Sequence, residues 1–139
     1  LPLHVTQDPL GNDLIVRSNL ETKIVSILNN NSNDWKYEVT KIPYSIPESS
    51  HTYTVDFTLP NGILLEGKGY LSDHAERYKY ILIKQQYPDL DLRFIFDNPN
   101  KLVGGTKMTH GKWADKYGFR WCGVKDIEVL QEWIKESHD

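Results

Sequence analysis

Apolar positions along the chain alternate between stretches of helical period and stretches of period two, so a mixed α and β domain is predicted. Ser18-Asn19-Leu20-Glu21 has the form of a capping box, with serine at the N-cap and glutamate three residues later. Leu20, Ile24, Ile27 and Leu28 then recur at helical spacing and predict a helix over 19–28. Alternation predicts strands over 35–42, 53–59 and 63–68. Pro60-Asn61-Gly62 separates the last two, and Asn-Gly favours a type I′ hairpin turn, in which both central residues take positive φ. A second capping pair, Asp73 and Glu76, opens a helix over 73–86 that stops before Pro88. The apolar run 92–96 reads as a buried strand, and 109–117 as a short helix ended by Gly118. Asp126 is expected to cap a last helix carrying Ile127, Leu130, Trp133 and Ile134. Segment 43–50 departs from this scheme. Pro43 and Pro47 fix φ and remove amide donors, which predicts a stiff, extended connection and not a strand within a sheet. It is a candidate bridge between two halves of an assembly, with an ordinary surface loop as the alternative.

The 139 residues suit one domain, and 39% hydrophobic with 12% aromatic residues is enough for a packed core. No apolar run approaches the ~20 residues of a membrane-spanning helix, and Leu1-Pro2-Leu3-His4 does not resemble an export signal. No membrane partner is expected. The single cysteine, Cys122, excludes an internal disulfide and a cysteine-based zinc cage, which suits a reducing cytosol. The net charge of −3 argues against a globally basic nucleic-acid binder. Its distribution argues otherwise. Between Arg93 and Lys125 seven Lys and Arg residues face only Asp97 and Asp115, interleaved with Trp113, Tyr117, Phe119 and Trp121. Such a segment suits phosphate binding, or equally a solvated face with its aromatics turned inward.

The candidate chemistry lies at Asp56, Glu66 and Lys68. A hairpin turned at Asn61-Gly62 would bring Asp56 and Glu66 side by side, and the period of two puts Glu66 and Lys68 on one face. Gly67 between them leaves its carbonyl accessible. Carboxylates plus a carbonyl make an oxygen site for a hard cation such as Mg²⁺, and a nearby ammonium can orient water or meet developing charge. That chemistry is phosphodiester hydrolysis; an exposed strand salt bridge is the plainer reading of the same residues. Glu21 can serve merely as a helix cap. His51, His74 and His110 form no metal-binding spacing, and Gly104-Gly105-Thr106-Lys107 reads as a turn and not a phosphate loop.

The block His51-Thr52-Tyr53-Thr54-Val55-Asp56-Phe57-Thr58-Leu59-Pro60-Asn61-Gly62-Ile63-Leu64-Leu65-Glu66-Gly67-Lys68-Gly69 resembles the core of the phage endonuclease I family of Holliday-junction resolvases. Arg17-Ser18-Asn19-Leu20-Glu21 is similar to the start of that family's first helix, Ile42-Pro43-Tyr44-Ser45-Ile46-Pro47 to its bridge, and Glu132-Trp133-Ile134-Lys135-Glu136 to its last helix. The resemblance implies an α/β (α+β) restriction-endonuclease-like fold: a mixed sheet flanked by helices, in an intertwined, domain-swapped homodimer. It also implies an N-terminal arm over 1–16, one nuclease domain over 17–136 with its bridge at 43–50, and a tail over 137–139. Catalytic residues would be Glu21, Asp56, Glu66 and Lys68. Asp56, Glu66, Glu21 and the Gly67 carbonyl would hold Mg²⁺, with Mn²⁺ able to substitute. Each chain would pass its first helix and strand to its partner, so that Glu21 of one subunit meets Asp56, Glu66 and Lys68 of the other. The implied partner is branched DNA, above all the four-way junction, cut on two opposed strands to leave 5′-phosphates in the cytoplasm of an infected host cell. Arg17, Lys101, Lys107, Lys112 and Lys116 are the candidate DNA contacts. A sequence-specific restriction-type endonuclease and a non-catalytic junction-binding architectural protein are the alternatives. Three features depart from the family pattern: Val55 stands where the wider superfamily has proline, the region before Arg17 lacks basic residues, and the last residues are acidic.

Overall fold

Two short strands, β1 (His4–Gln7) and β2 (Asp13–Val16), pair antiparallel around a turn in which Asp8 Oδ1 accepts the amides of Leu10 and Asn12, both at 2.9 Å. The computed structural model describes residues 3–46 and 49–137, and this hairpin was not legible in the sequence, where the segment is only an arm. Helix α1 (Asn19–Asn31) follows, three residues longer than its apolar repeat. Ser18 caps it as expected, accepting the Glu21 amide at 3.2 Å.

The predicted strand over 35–42 divides into β3 (Lys36–Tyr37) and β4 (Lys41–Ile46), and the predicted strand over 53–59 into β5 (Ser49–Thr54) and β6 (Phe57–Thr58). β3 pairs with β6 and β4 with β5, both antiparallel, but between the two ladders Glu38, Val39 and Thr40 oppose only Val55 and Asp56. This is a bulge: Glu38 takes φ +53, its amide bonds the Asp56 carbonyl at 2.8 Å, and the ribbon bends there. Val55 donates its amide to Thr40 at 2.9 Å, a bond that a proline in this position would forgo.

Of the stiff connection expected over 43–50, residues 43–46 and 49–50 are therefore part of a paired ribbon. Pro43 lies opposite Thr52, which a two-stranded ribbon tolerates because every strand in it is an edge. Pro47, which also motivated the expectation, lies outside the described residues. The ribbon docks on α2 (His74–Gln86): the Gln86 side chain takes both the amide and the carbonyl of Ser45, at 2.8 and 2.6 Å, and Tyr87 Oη donates to the Pro43 carbonyl at 2.6 Å.

β6 runs back through the Pro60-Asn61-Gly62 turn into β7 (Leu64–Lys68). Only Gly62 takes positive φ, at +88°, and its amide reaches the Leu59 carbonyl at 3.0 Å. The turn is thus a three-residue connection centred on Pro60 and Asn61 with a left-handed glycine closing it, and not the type I′ turn expected, because Asn61 keeps a negative φ. From β7 the chain crosses through α2 to β8 (Leu92–Phe96), then through α3 (His110–Lys116) to β9 (Trp121–Gly123), which the sequence did not reveal. Both pairings are parallel, so the central sheet runs β3-β6-β7-β8-β9. A parallel strand is covered on both faces, and all five residues of β8 are buried. Helix α4 (Ile127–Ile134) ends the described fold. Asp126 does not cap it with its side chain, which instead accepts the Gly123 amide at 2.9 Å, and Ile127 is 46% exposed and outside the core.

One core layer joins α1 and α4 to the sheet through Ile24, Val25, Leu28, Leu65, Ile95, Leu130 and Trp133. The other joins α2, α3 and the ribbon through Tyr53, Leu64, Tyr80, Phe94, Phe96 and Trp113. No helix among the described residues is long and apolar enough to cross a membrane. Cys122 is buried, and burial with the nearby Asp126 charge pushes its thiol up to about 12, so it is not a nucleophile. Gly104-Gly105 forms the expected turn: Gly104 donates to Leu71, and a side chain there would run into the Ser72 backbone.

Candidate active site

The parity of β7 sends Leu64, Glu66 and Lys68 to the face covered by α2, as the period of two predicted, while Gly67 faces α1 against Ile24 and Leu20. At Glu66, then, a carboxylate enters an aromatic layer. Tyr53 of the ribbon donates to its Oε1, Tyr80 of α2 donates to its Oε2 at 3.0 Å, and Lys68 Nζ lies 3.4 Å from the same Oε2. Glu66 is 4% exposed, and three polar contacts offset the cost of that burial. Lys68 in turn pairs with Glu76. Glu76 thus serves the cleft and not the capping box read from Asp73 and Glu76; Asp73 caps α2 through the Ala75 amide at 3.0 Å.

Asp56 sits at the bulge, where the bend turns it toward α1, and its Oδ2 accepts the Gly67 amide at 3.0 Å. Glu21 arrives from the first turn of α1. Its Oε1 does not close the capping box on Ser18 but accepts the Arg17 amide at 2.7 Å and the Tyr37 hydroxyl at 2.8 Å. Glu38, the bulged residue, completes the group, and its carboxylate holds Arg17 at 2.9 Å. Carboxylate oxygens of Glu21, Glu38 and Asp56 all lie within 4.8 Å of one another. Glu21, Asp56, Glu66, Gly67 and Lys68, with Tyr53, Lys79 and Thr52, line an open cleft of about 440 Å³, and Glu38 stands beside Glu21 and Asp56 outside that lining.

Burial, and then the charges of Glu66 and Glu21, push the Asp56 carboxyl up to about 8, against the Gly67 amide and Lys68, which lower it. Burial also raises Glu66, with Lys68 and the two phenols opposing. For Lys68, burial alone would favour the neutral amine, but Glu66 and Glu76 outweigh it and raise the group, which stays an ammonium. Burial, with the carboxylates nearby, raises Tyr37, Tyr53 and Tyr80, so all three remain neutral donors. The donor set is oxygen alone, and its carboxyls, raised by burial and by one another, are the groups that a bound cation would bring back to the charged form. Those residues fit a hard divalent cation such as Mg²⁺ or Mn²⁺.

Glu21, Asp56, Glu66, Gly67 and Lys68, chosen from sequence, are thus brought to one cleft, with Arg17 at its rim. The tightest carboxylate group holds Glu38 where sequence reasoning put Glu66. Glu38 was missed because its position in an apparent strand carries no sign of a bulge. One chain assembles this arrangement, with Glu21 beside its own Asp56, so exchange of α1 between partners is not required to build it. The remaining DNA-contact candidates lie elsewhere. Lys101, Lys107, Lys112 and Lys116 are exposed on the loop before α3 and on α3 itself, and none lines the cleft. Lys101 packs its ammonium 4.2 Å above the Tyr70 ring. Arg93, counted in the basic segment, is 3% exposed and tied to Asp91 and Glu136 at 2.8 and 2.7 Å, so it belongs to the core and not to a DNA-facing surface.

A family model described as phage endonuclease I matches residues 7–139. The chain belongs to the phage endonuclease I family. Endonuclease I of Escherichia phage T7 is 42% identical over 121 residues, covering 86% of this chain and 78% of that protein. Endodeoxyribonuclease 1 of Enterobacteria phage T3 is 46% identical over 103 residues, covering 73% of this chain and 67% of that protein. Within this member of the family, the carboxylate cleft is where a bulged ribbon, the start of α1 and the middle of β7 meet.

Proposed function

We propose that the protein is a Mg²⁺-dependent DNA endonuclease that acts as a homodimer on branched DNA, four-way junctions above all, in the cytoplasm of a phage-infected cell. The observation that carries the reading is the convergence of Glu21, Glu38 and Asp56, within 4.8 Å, beside the Glu66 and Lys68 pair, all but Glu38 lining one open cleft. Family membership and the names of the T7 and T3 relatives support DNA as the substrate.

In this reading Asp56, Glu21 and Glu66, with the Gly67 carbonyl and Glu38, hold the metal. When bound, a divalent ion there supplies a Lewis acid for the phosphate and a more acidic water, and Mn²⁺ can substitute. Lys68, fixed between Glu66 and Glu76, presents a permanent positive charge to the oxygens on which negative charge grows as the phosphodiester is attacked. Tyr53 and Tyr80 hold Glu66 in one rotamer, and Tyr37 does the same for Glu21. Arg17 and the exposed lysines 101, 107, 112 and 116 take phosphates of the arms. Phosphate contacts position a protein without reading bases, so discrimination comes from the shape of the junction.

The test incubates purified protein with a four-way junction of unrelated arm sequences and with a matched linear duplex, in Mg²⁺ and in chelator. Cutting near the branch point in Mg²⁺ alone is expected. Cutting of the duplex at one defined sequence would replace this reading with a restriction-type enzyme, and binding without any cutting would replace it with an architectural role.

A further inference from the structure

Lys79 stands on the wall of the same cleft and has no part in the chemistry described so far. Its Nζ lies 4.7 Å from the centroid of the Tyr80 ring and 5.3 Å from that of Tyr53. Those are the two tyrosines whose hydroxyls bind Glu66. In each ring the hydroxyl faces the carboxylate and the π face supports the Lys79 ammonium, and the Tyr80 ring also has Lys68 Nζ 5.6 Å from its centroid. No carboxylate among the described residues forms an ion pair with Lys79. The reason is local, because both oxygens of Glu66 are already taken by Tyr53, Tyr80 and Lys68, and Glu76 is taken by Lys68. An ammonium has three N–H donors, and a π face uses them poorly, so Lys79 keeps hydrogen-bonding capacity directed into the cleft.

We propose that Lys79 is a phosphate-binding residue of the cleft, which grips a backbone phosphate of the DNA bound there from a platform made by Tyr53 and Tyr80. The inference rests on the endonuclease reading for its ligand, a phosphodiester of DNA. It does not rest on cleavage. Lys68 and Lys79 then divide the work: Lys68 is committed to the reacting centre by its two carboxylates, while Lys79, which feels the charges of Glu66, Glu76 and Asp56 but pairs with no carboxylate among the described residues, is left to engage the substrate.

The experiment measures binding of a fluorescein-labelled four-way junction in chelator across a salt series, for wild type, Lys79→Gln and Lys79→Arg. Thermal melts check that each variant is folded. Lys79→Gln is expected to bind roughly three- to tenfold more weakly near physiological salt, with the slope of log affinity against log salt shallower by about one. Lys79→Arg keeps the charge and stacks on the same rings, and should restore both affinity and slope. An unchanged affinity and slope in folded Lys79→Gln overturns the proposal, as does an Arg variant that behaves like Gln. Wild-type protein that binds the junction but never cuts it in Mg²⁺ sinks the nuclease reading alone and leaves the role of Lys79 standing.

Discussion

At position 66 a carboxylate is buried between two phenols and an ammonium, and no packing need accounts for placing it there. Glu66→Gln keeps the shape and loses the charge. It is expected to lower cleavage by roughly a hundredfold or more while leaving junction binding in chelator and the melting temperature close to wild type. A variant that cuts at near wild-type rate in Mg²⁺ would remove Glu66 from the site. Lys68→Ala should also lose most activity, yet retain Mn²⁺ binding measured directly by spin resonance, since an ammonium is not a ligand. His110 supplies a test away from the cleft. It is fully buried, its Nε2 accepts the Leu71 amide at 2.8 Å, and its Nδ1 donates to the Lys101 carbonyl at 2.6 Å. That arrangement requires the neutral ring. Burial foremost, with Lys101 adding, lowers its pKa, while the hydrogen bond to the Lys101 carbonyl opposes the shift. Below its unfolded value of about 6.5 the unfolded chain therefore binds a proton that the folded chain resists. Stability from this group is complete above that pH and declines as pH falls through it. Denaturation of wild type and His110→Gln at about pH 7.5 and about pH 5.5 should show a smaller loss on acidification in the variant. Equal losses would mean that the ring is not held neutral.

Among the elements, the β6–β7 turn does more than reverse the chain. Asn61 Oδ1 accepts the Ile63 amide at 3.2 Å, while Nδ2 donates to the carbonyls of Trp133, at 2.8 Å, and Glu136, at 3.2 Å. The turn thus satisfies carbonyls at the C-terminal end of α4, which has no basic residue in its last turn. Asn61→Ala should cost about 1–2 kcal/mol. Gly62→Ala has open space around the added methyl, so its cost is purely that of a left-handed backbone, about 1 kcal/mol. Urea denaturation midpoints check both, and an Asn61→Ala variant as stable as wild type would show that α4 does not depend on the turn. The same register carries the site. The bulge at Glu38 and the pairing of β6 with β7 together set Asp56 against Gly67, so a slip of one residue would turn Asp56 and Glu66 away.

At the scale of the whole molecule, the pairing of the β4–β5 ribbon decides which chain supplies α1. The β4–β5 ribbon closes on itself in one chain, and the same six register pairs can form between β4 of one copy and β5 of another if the hairpin opens. Exchange would then carry β1, β2, α1 and β3 across, and Glu21 with them. A mixed dimer distinguishes the two arrangements. Glu21→Ala and Glu66→Ala are each expected to be inactive as homodimers, and the heterodimer is formed by co-expression, since an intertwined dimer exchanges slowly. With exchange, one site collects both defects and the other is intact, so the heterodimer nicks one strand of a junction. Without exchange each site retains one defect. A purified heterodimer with no nicking activity would therefore rule out a site shared between chains.

The helices α1 to α4, strands β7 and β8, and the candidates Glu21, Asp56, Glu66 and Lys68, which the fold brings to one cleft, were legible in the sequence because each is written in a local code. Helices and strands show as apolar periods with caps, and the site residues as one-face alternation together with resemblance to a known core. What escaped reading depends on partners distant along the chain. The backbone at Glu38 takes positive φ because two ladders must join across unequal lengths, and nothing in Lys36-Tyr37-Glu38-Val39 announces that. Arg93 counted as surface charge until Glu136, 43 residues away, was seen to hold it. Tyr53 and Tyr80 lie 13 and 14 residues from Glu66 on different elements, and no periodicity links their hydroxyls to its two oxygens. Local hydrophobic period determines which element a segment forms and which face it buries. Where a strand bulges, and which charge neutralises which, is decided only when distant segments pack, because those energies belong to the contact and not to the segment.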